Sequence, residues 1–476
     1  MHGLKDEIAR LFTPPGQPGE STEFILRDAA AAHLELLRAA RRTAAPRDCP
    51  ALPMVASLLP RDRRTRLRFL CDPVLAEGLH ELATLSPVVR AWHDCTADSG
   101  QDRLRHDAGG DPEDRRCCRL GNAALPMLLR HAPDWCGTLE LTTDRYGLLR
   151  FATSDWCLSV ATADEPPCIA VDQRICVRLA GQSATWSLAG PSPQPFLRMP
   201  RRTLIQLAAE NHPSPQGAPL QSLDPSLCPR WRLGTSLCSF GTRFLPVHCS
   251  AESQAACCGG IVKRLHDQLT RASTGIHLEF CSYVTSILGF DQAGADSGTV
   301  QSFSEPTQPR LMGLNVPFNA PDEPRMCPYC LTCLGHEMAH TKMYLTESVG
   351  WRRGWRFLRD SGSTTALLPR YGRAIKLRTL FQIPYTHLYE WSLLLDACNA
   401  GISRFDPLTD PLLQFGEELR DEMTEAFDAV ERLAEPTPHG QCALERCHRL
   451  FDALDRRWRR LCRGTGIKPR VDWRGR

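Results

Sequence analysis

The sequence predicts an α+β protein, mainly helical, in which a small antiparallel β module precedes a catalytic region built around an HExxH helix. Three observations predict it. Leu331, Leu334, Met338, Leu345 and Val349 recur at the three-, four- and seven-residue steps of an amphipathic helix around the motif. Between 137 and about 202, short alternating runs follow one another with turn residues between them, the pattern of a meander. The flanking stretches are rich in Ala, Leu and charged residues and read as helices.

With 476 residues, 42% of them apolar, the chain has room for more than one sizeable core. We divide it into an N-terminal helical region (1–115), a β-rich module (130–202), the HExxH metal-binding region (255–405) and a C-terminal helical region (406–476). Helices are expected at 23–43 and 73–85, before a polar, Gly- and Asp-rich stretch at 99–116. Strands are expected at 138–141, 148–151, 157–160, 168–171, 175–179 and 185–188. The Pro-rich 203–250 reads as irregular. A helix at 259–274, a helix or strand at 280–288 and a short extended segment at 299–303 lead into the motif. After it come a loop over 361–373, a helix beginning near Pro384, and helices at 410–433 and 441–462 separated by Glu435-Pro436-Thr437-Pro438.

The formal charge is +3, with 57 Lys and Arg against 54 Asp and Glu, so nothing points to nucleic acid or a membrane surface. The opening residues lack an apolar core or cleavage pattern, and no window approaches the length of a membrane span. A cytoplasmic protein is expected. Its 22 cysteines are scattered along a long chain and are read as mostly reduced, buried thiols. Cys327, Cys330 and Cys333 have the spacing of a zinc or cluster site. No second CxxC pair completes it, so a structural role is expected.

The chemistry is concentrated in His336-Glu337-Met338-Ala339-His340. On a helix, positions i and i+4 share a face, so two imidazoles can grip one metal with the intervening Glu placed beside it for proton transfer. Glu347 lies on roughly the same side but about 10 Å further along the axis, which suits a supporting or solvent role. His387 shares an inward stripe with Trp391, Leu394 and Cys398 and is the candidate third ligand. Glu390, one turn on, competes with it and would give two His and one carboxylate, the set of zinc hydrolases or non-haem iron oxygenases.

The order of features over roughly 260–405 resembles the HExxH-motif, 2-oxoglutarate- and Fe(II)-dependent peptide β-hydroxylases, bacterial enzymes associated with ribosomally made, modified peptides. The shared features are a helix ending near Phe280, a polar loop, an extended approach to His336, the motif continuing as Thr341-Lys342-Met343-Tyr344-Leu345, an Arg-containing loop and a His-bearing helix. The sequence has Leu388 where the family has Gly, and its loop lacks the family's Trp-Arg pair. The resemblance implies iron bound by His336, His340 and a distal His that maps onto His387. It implies 2-oxoglutarate as cosubstrate, with Arg370, Arg373 or Arg378 on its far carboxylate. It also implies a peptide or precursor-peptide substrate, with Glu337 orienting a ligand or hydrogen-bond network. The rival readings are a zinc metallopeptidase with Glu337 as base and a non-catalytic, metal-containing peptide-binding protein.

Overall fold

The computed structural model describes residues 2–17, 19–44, 49–96, 119–131, 262–290, 302–315, 327–359, 365–368, 373–400 and 410–464, together with the strands and flanking residues named here between 136 and 248. The first part is helical: α1 (His2–Leu11), α2 (Glu20–Thr43), α3 (Ala51–Ser57), α4 (Arg63–Leu70), α5 (Pro73–Glu81), α6 (Pro87–Thr96) and α7 (Arg119–His131). Short polar side chains start two of these helices. Asp62 accepts from the Thr65 amide at 2.7 Å, and Asp72 from the Val74 amide at 2.9 Å, with Pro73 in the first turn.

Ten short strands follow among the described residues: β1 (Cys136–Thr142), β2 (Leu148–Arg150), β3 (Cys157–Ser159), β4 (Arg174–Ala180), β5 (Thr185–Ala189), β6 (Pro195–Arg198), β7 (Gln206–Ala209), β8 (Arg232–Gly234), β9 (Leu237–Ser239) and β10 (Thr242–His248). The order β1-β4-β5-β6-β7 is antiparallel throughout, and β2-β3-β8 forms a smaller antiparallel sheet. The expected small antiparallel module is therefore present; its expected strand at 168–171 lies outside the described residues.

The remaining elements are α8 (Val262–Ala272), α9 (Thr274–Tyr283), β11 (Ser286–Phe290), β12 (Ser302–Ser304), β13 (Leu311–Asn315), α10 (Cys327–Arg353), β14 (Thr365–Leu368), β15 (Arg373–Lys376), α11 (Leu377–Asn399), α12 (Asp410–Leu433) and α13 (Pro438–Gly464). A second sheet runs β12-β13-β11-β10-β9, with β11 parallel to both β10 and β13. Its β12 falls at the expected extended segment and β11 at the stretch read as helix or strand, but β9 and β10 fall in sequence read as irregular. The physical reason is that α8 and α9 cross over between β10 and β11, so the pairing joins distant segments that show no local alternation.

Two further readings are corrected. The stretch read as a loop over 361–373 contributes to the antiparallel hairpin β14–β15. This hairpin delivers the chain straight into α11, so the helix begins at Leu377 and holds Pro384 inside it. Proline removes one backbone donor, but Leu380, Leu388, Trp391 and Leu394 around it are fully buried, and their packing carries the helix through.

Two apolar cores divide the molecule. One gathers α3–α7 with β1; the other gathers α1 and α8–α13 with β11 and β13. The α2 helix belongs to both, giving Ile25 and Ala29 to one and Leu36, Leu37 and Ala40 to the other. Packing thus runs across the boundary drawn at 405, because Met423, Phe427 and Trp458 share a core with Trp391 and Leu394. The expected packing face of the motif helix is there: Leu331, Leu334, Met338, Leu345 and Val349 are each 1% exposed or less. Among the described residues no helix is long and apolar enough to cross a membrane.

Candidate metal centre

The motif helix α10 packs along α11, and the site lies on the side of α10 that its apolar residues leave polar. His336, His387 and Glu390 offer ligand atoms that all lie within 4.8 Å of one another. The His340 ring stands beside them, 4.8 Å from that of His336, and the His387 ring is 5.2 Å from His336 on another side. The two motif histidines, the inward histidine and its competing carboxylate are therefore brought to one place. The tightest cluster contains both proposed third ligands and leaves His340 at its margin.

Each imidazole has an oxygen partner. His336 Nδ1 donates to Glu390 Oε2 at 3.0 Å, and His340 Nδ1 faces Gln382 Oε1 at 3.2 Å. His387 Nε2 donates to Glu422 Oε2, on α12, at 2.6 Å, which leaves Nδ1 against Thr386 Oγ1 at 3.4 Å and 3.9 Å from Glu390. A carboxylate behind an imidazole fixes ring and tautomer and makes the other nitrogen a better donor to a metal. Glu337 is 4% exposed; its Oε1 accepts from Ser302 Oγ at 2.7 Å, while its Oε2 has no hydrogen-bond partner among the described residues. A buried carboxylate oxygen left in that state is costly unless something binds it.

Charge divides the histidines. Burial disfavours the charged form of His336, but the Glu390 hydrogen bond and charge, with Glu337 and Glu422 adding to them, outweigh burial and lift its pKa to about 9. Burial pushes His340 well below the usual value, and the neighbouring His336 charge pushes the same way. For Glu390, burial favours the neutral acid, yet the bond to His336 and the charges of both histidines hold its pKa below normal. Glu337, Glu390 and Glu422 surround the cluster with carboxylates that suit a cation, which would have to displace the proton of His336. Two nitrogens and one carboxylate oxygen are donors that iron and zinc both accept.

The remaining candidates fall as follows. Arg378, in the first turn of α11, is paired with Glu347 and donates to the Thr96 carbonyl. Arg373 lies on β15, with its side chain outside the described residues, as is the whole of Arg370. Cys327 and Cys330 form part of the first turn of α10, and Cys333, a turn later, is a buried thiol. Sequence reasoning misses Ser302, Gln382 and Glu422. Gln382, Thr386 and Glu390 share a four-residue spacing on one stripe of α11, a signal that finds Gln382. Glu422 is one acid among several on α12, and nothing local marks it.

No known family model matches the chain, and a search of curated proteins finds no match.

Proposed function

We propose that the chain is an Fe(II)- and 2-oxoglutarate-dependent oxygenase that hydroxylates a β-carbon in a peptide. The observation that carries this reading is the grouping of His336, His387 and Glu390 within 4.8 Å, two imidazoles and one carboxylate. That donor set holds non-haem iron while leaving coordination positions for an oxo acid and O2. When bound, iron supplies the oxidising chemistry, with 2-oxoglutarate and O2 as co-reactants. The chain's own residues do the rest. Glu422 holds His387 in orientation, His340 stands beside His336 as a further nitrogen for the same ion, and Ser302 fixes the direction of Glu337. Glu347 already occupies Arg378, so the far carboxylate of the cosubstrate falls to Arg373 or Arg370.

A peptide fits the wall beside Glu337. Among the described residues, β12 is one of the two edges of the second sheet, and its Ser302 touches Glu337. An extended peptide pairing with that edge lies alongside the metal cluster, with backbone hydrogen bonds giving affinity and alternate side chains facing the site.

A second reading, a zinc-dependent peptide hydrolase, is favoured by the buried Oε2 of Glu337, which has no partner among the described residues and would serve as a general base for water. One experiment separates the two. The protein is purified without oxygen, its metal is measured, and succinate release is followed on adding Fe(II), 2-oxoglutarate and air. Iron with succinate formation supports the oxygenase. Tightly held zinc with no succinate rejects it in favour of the hydrolase.

A further inference from the structure

Behind His340 runs a chain of side chains that the metal-centre reading leaves unused. Gln382 Oε1 faces His340 Nδ1 at 3.2 Å, and Gln382 Nε2 donates to Glu347 Oε1 at 3.1 Å. Glu347 also accepts from Arg378 Nε at 2.9 Å and from the same guanidinium through its second oxygen. Gln382 is 3% exposed, so water does not compete for its amide.

The chemistry of this chain runs in one direction only. A carboxylate paired with Arg is ionised and accepts hydrogen bonds without donating any. The end of the Gln382 amide that meets Glu347 must be the NH2 group, which turns the carbonyl oxygen toward His340. A carbonyl only accepts, so His340 Nδ1 must carry the hydrogen. In a neutral imidazole, the lone pair is then on Nε2.

We infer that Arg378, Glu347 and Gln382 form a positioning relay that holds His340 in its Nδ1–H tautomer and leaves Nε2 to bind a divalent cation. The relay assigns Glu347 a role through Gln382 although it is too far along α10 to reach the same ion. It makes Arg378 a positioning residue and not a cosubstrate anchor. For the use of Nε2, the inference rests on the metal-centre reading; the tautomer does not depend on it.

The test uses the full chain, labelled with 15N at histidine and stripped of metal, with long-range proton–nitrogen correlations recorded where His340 is neutral. The His340 signals are assigned by their loss in His340→Gln. The expected result is an Nδ1–H tautomer in the wild type and the appearance of the Nε2–H form in Gln382→Leu and in Glu347→Gln. Co(II) titration should show affinity reduced about 10- to 100-fold in Gln382→Leu, with a smaller loss in Glu347→Gln. A wild-type His340 in the Nε2–H form overturns the relay, as does an unchanged tautomer in the folded variants. If Gln382→Leu does not fold, the wild-type spectrum and Glu347→Gln decide the question. Tautomers that respond as expected in a protein that binds no Co(II) uphold the relay and reject the metal-centre reading.

Discussion

The HExxH helix carries buried polar groups on two sides, and the two sides are completed to different degrees. On one side, Lys342 and Glu279 are both 0% exposed. All three ammonium hydrogens are placed, on Thr13 Oγ1 at 3.0 Å, Glu279 Oε1 at 3.0 Å and Tyr389 Oη at 2.8 Å. Tyr389 donates onward to Glu279, whose second oxygen accepts from the Gly16 amide at 2.9 Å. On the other side, three imidazoles crowd together, and the buried Glu337 Oε2 lacks a partner among the described residues. A buried polar cluster that satisfies itself is a structural device. One that leaves donor atoms converging is a place for a ligand.

The largest expected effect breaks the completed side. Lys342→Met leaves Glu279 charged, buried and without its cation, and should destabilise the protein by about 3–5 kcal/mol in denaturant unfolding. Adding Glu279→Leu to that variant should recover much of the loss.

A histidine outside both clusters sharpens the contrast. His33 is fully buried and donates from Nδ1 to the Leu70 carbonyl at 2.5 Å; burial, only partly offset by that bond, pushes its pKa down to about 4. Because the folded value is below the unfolded one, its contribution is complete above pH 6.5 and is lost as pH falls through 4. The loss amounts to about 3 kcal/mol. His33→Gln should flatten the stability profile across that window.

Next comes the orienting carboxylate. Glu422→Gln should lower Co(II) affinity about 10- to 100-fold if His387 binds the metal; unchanged affinity would remove His387 as a ligand. The smallest effect is in the opposite direction. Glu337→Met replaces a carboxylate oxygen that has no partner among the described residues with an apolar side chain, and should raise the stability of the metal-free protein by about 1 kcal/mol while abolishing turnover. Lower stability would show that Glu337 is satisfied in solution.

Legibility followed the length scale of each interaction. The packing face of α10 and the inward stripe of His387 are properties of one helix, so Leu331, Met338, Val349 and His387 announce themselves through periodicity. The supporting role of Glu347 was open from its phase alone, but its route through Gln382 depends on how two helices lie together. Lys342 reads as an ordinary polar residue after the motif, because Glu279 and Tyr389 are 63 and 47 residues away. The true start of α11 is hidden for another reason: Pro384 is a strong local breaker, and tertiary burial overrides it.

The first helix is tied to late parts of the chain. Ile8, Leu11 and Phe12 pack in the core of the motif region, Thr13 and Gly16 complete the Lys342 cluster, and Arg446 donates to the Phe12 carbonyl across 434 positions. At roughly 5–20 residues per second of synthesis, this helix waits on the order of half a minute for Arg446 to be made. Until then its apolar stripe has α2 beside it but not α13, so the core of the motif region is completed only when the last helix is in place.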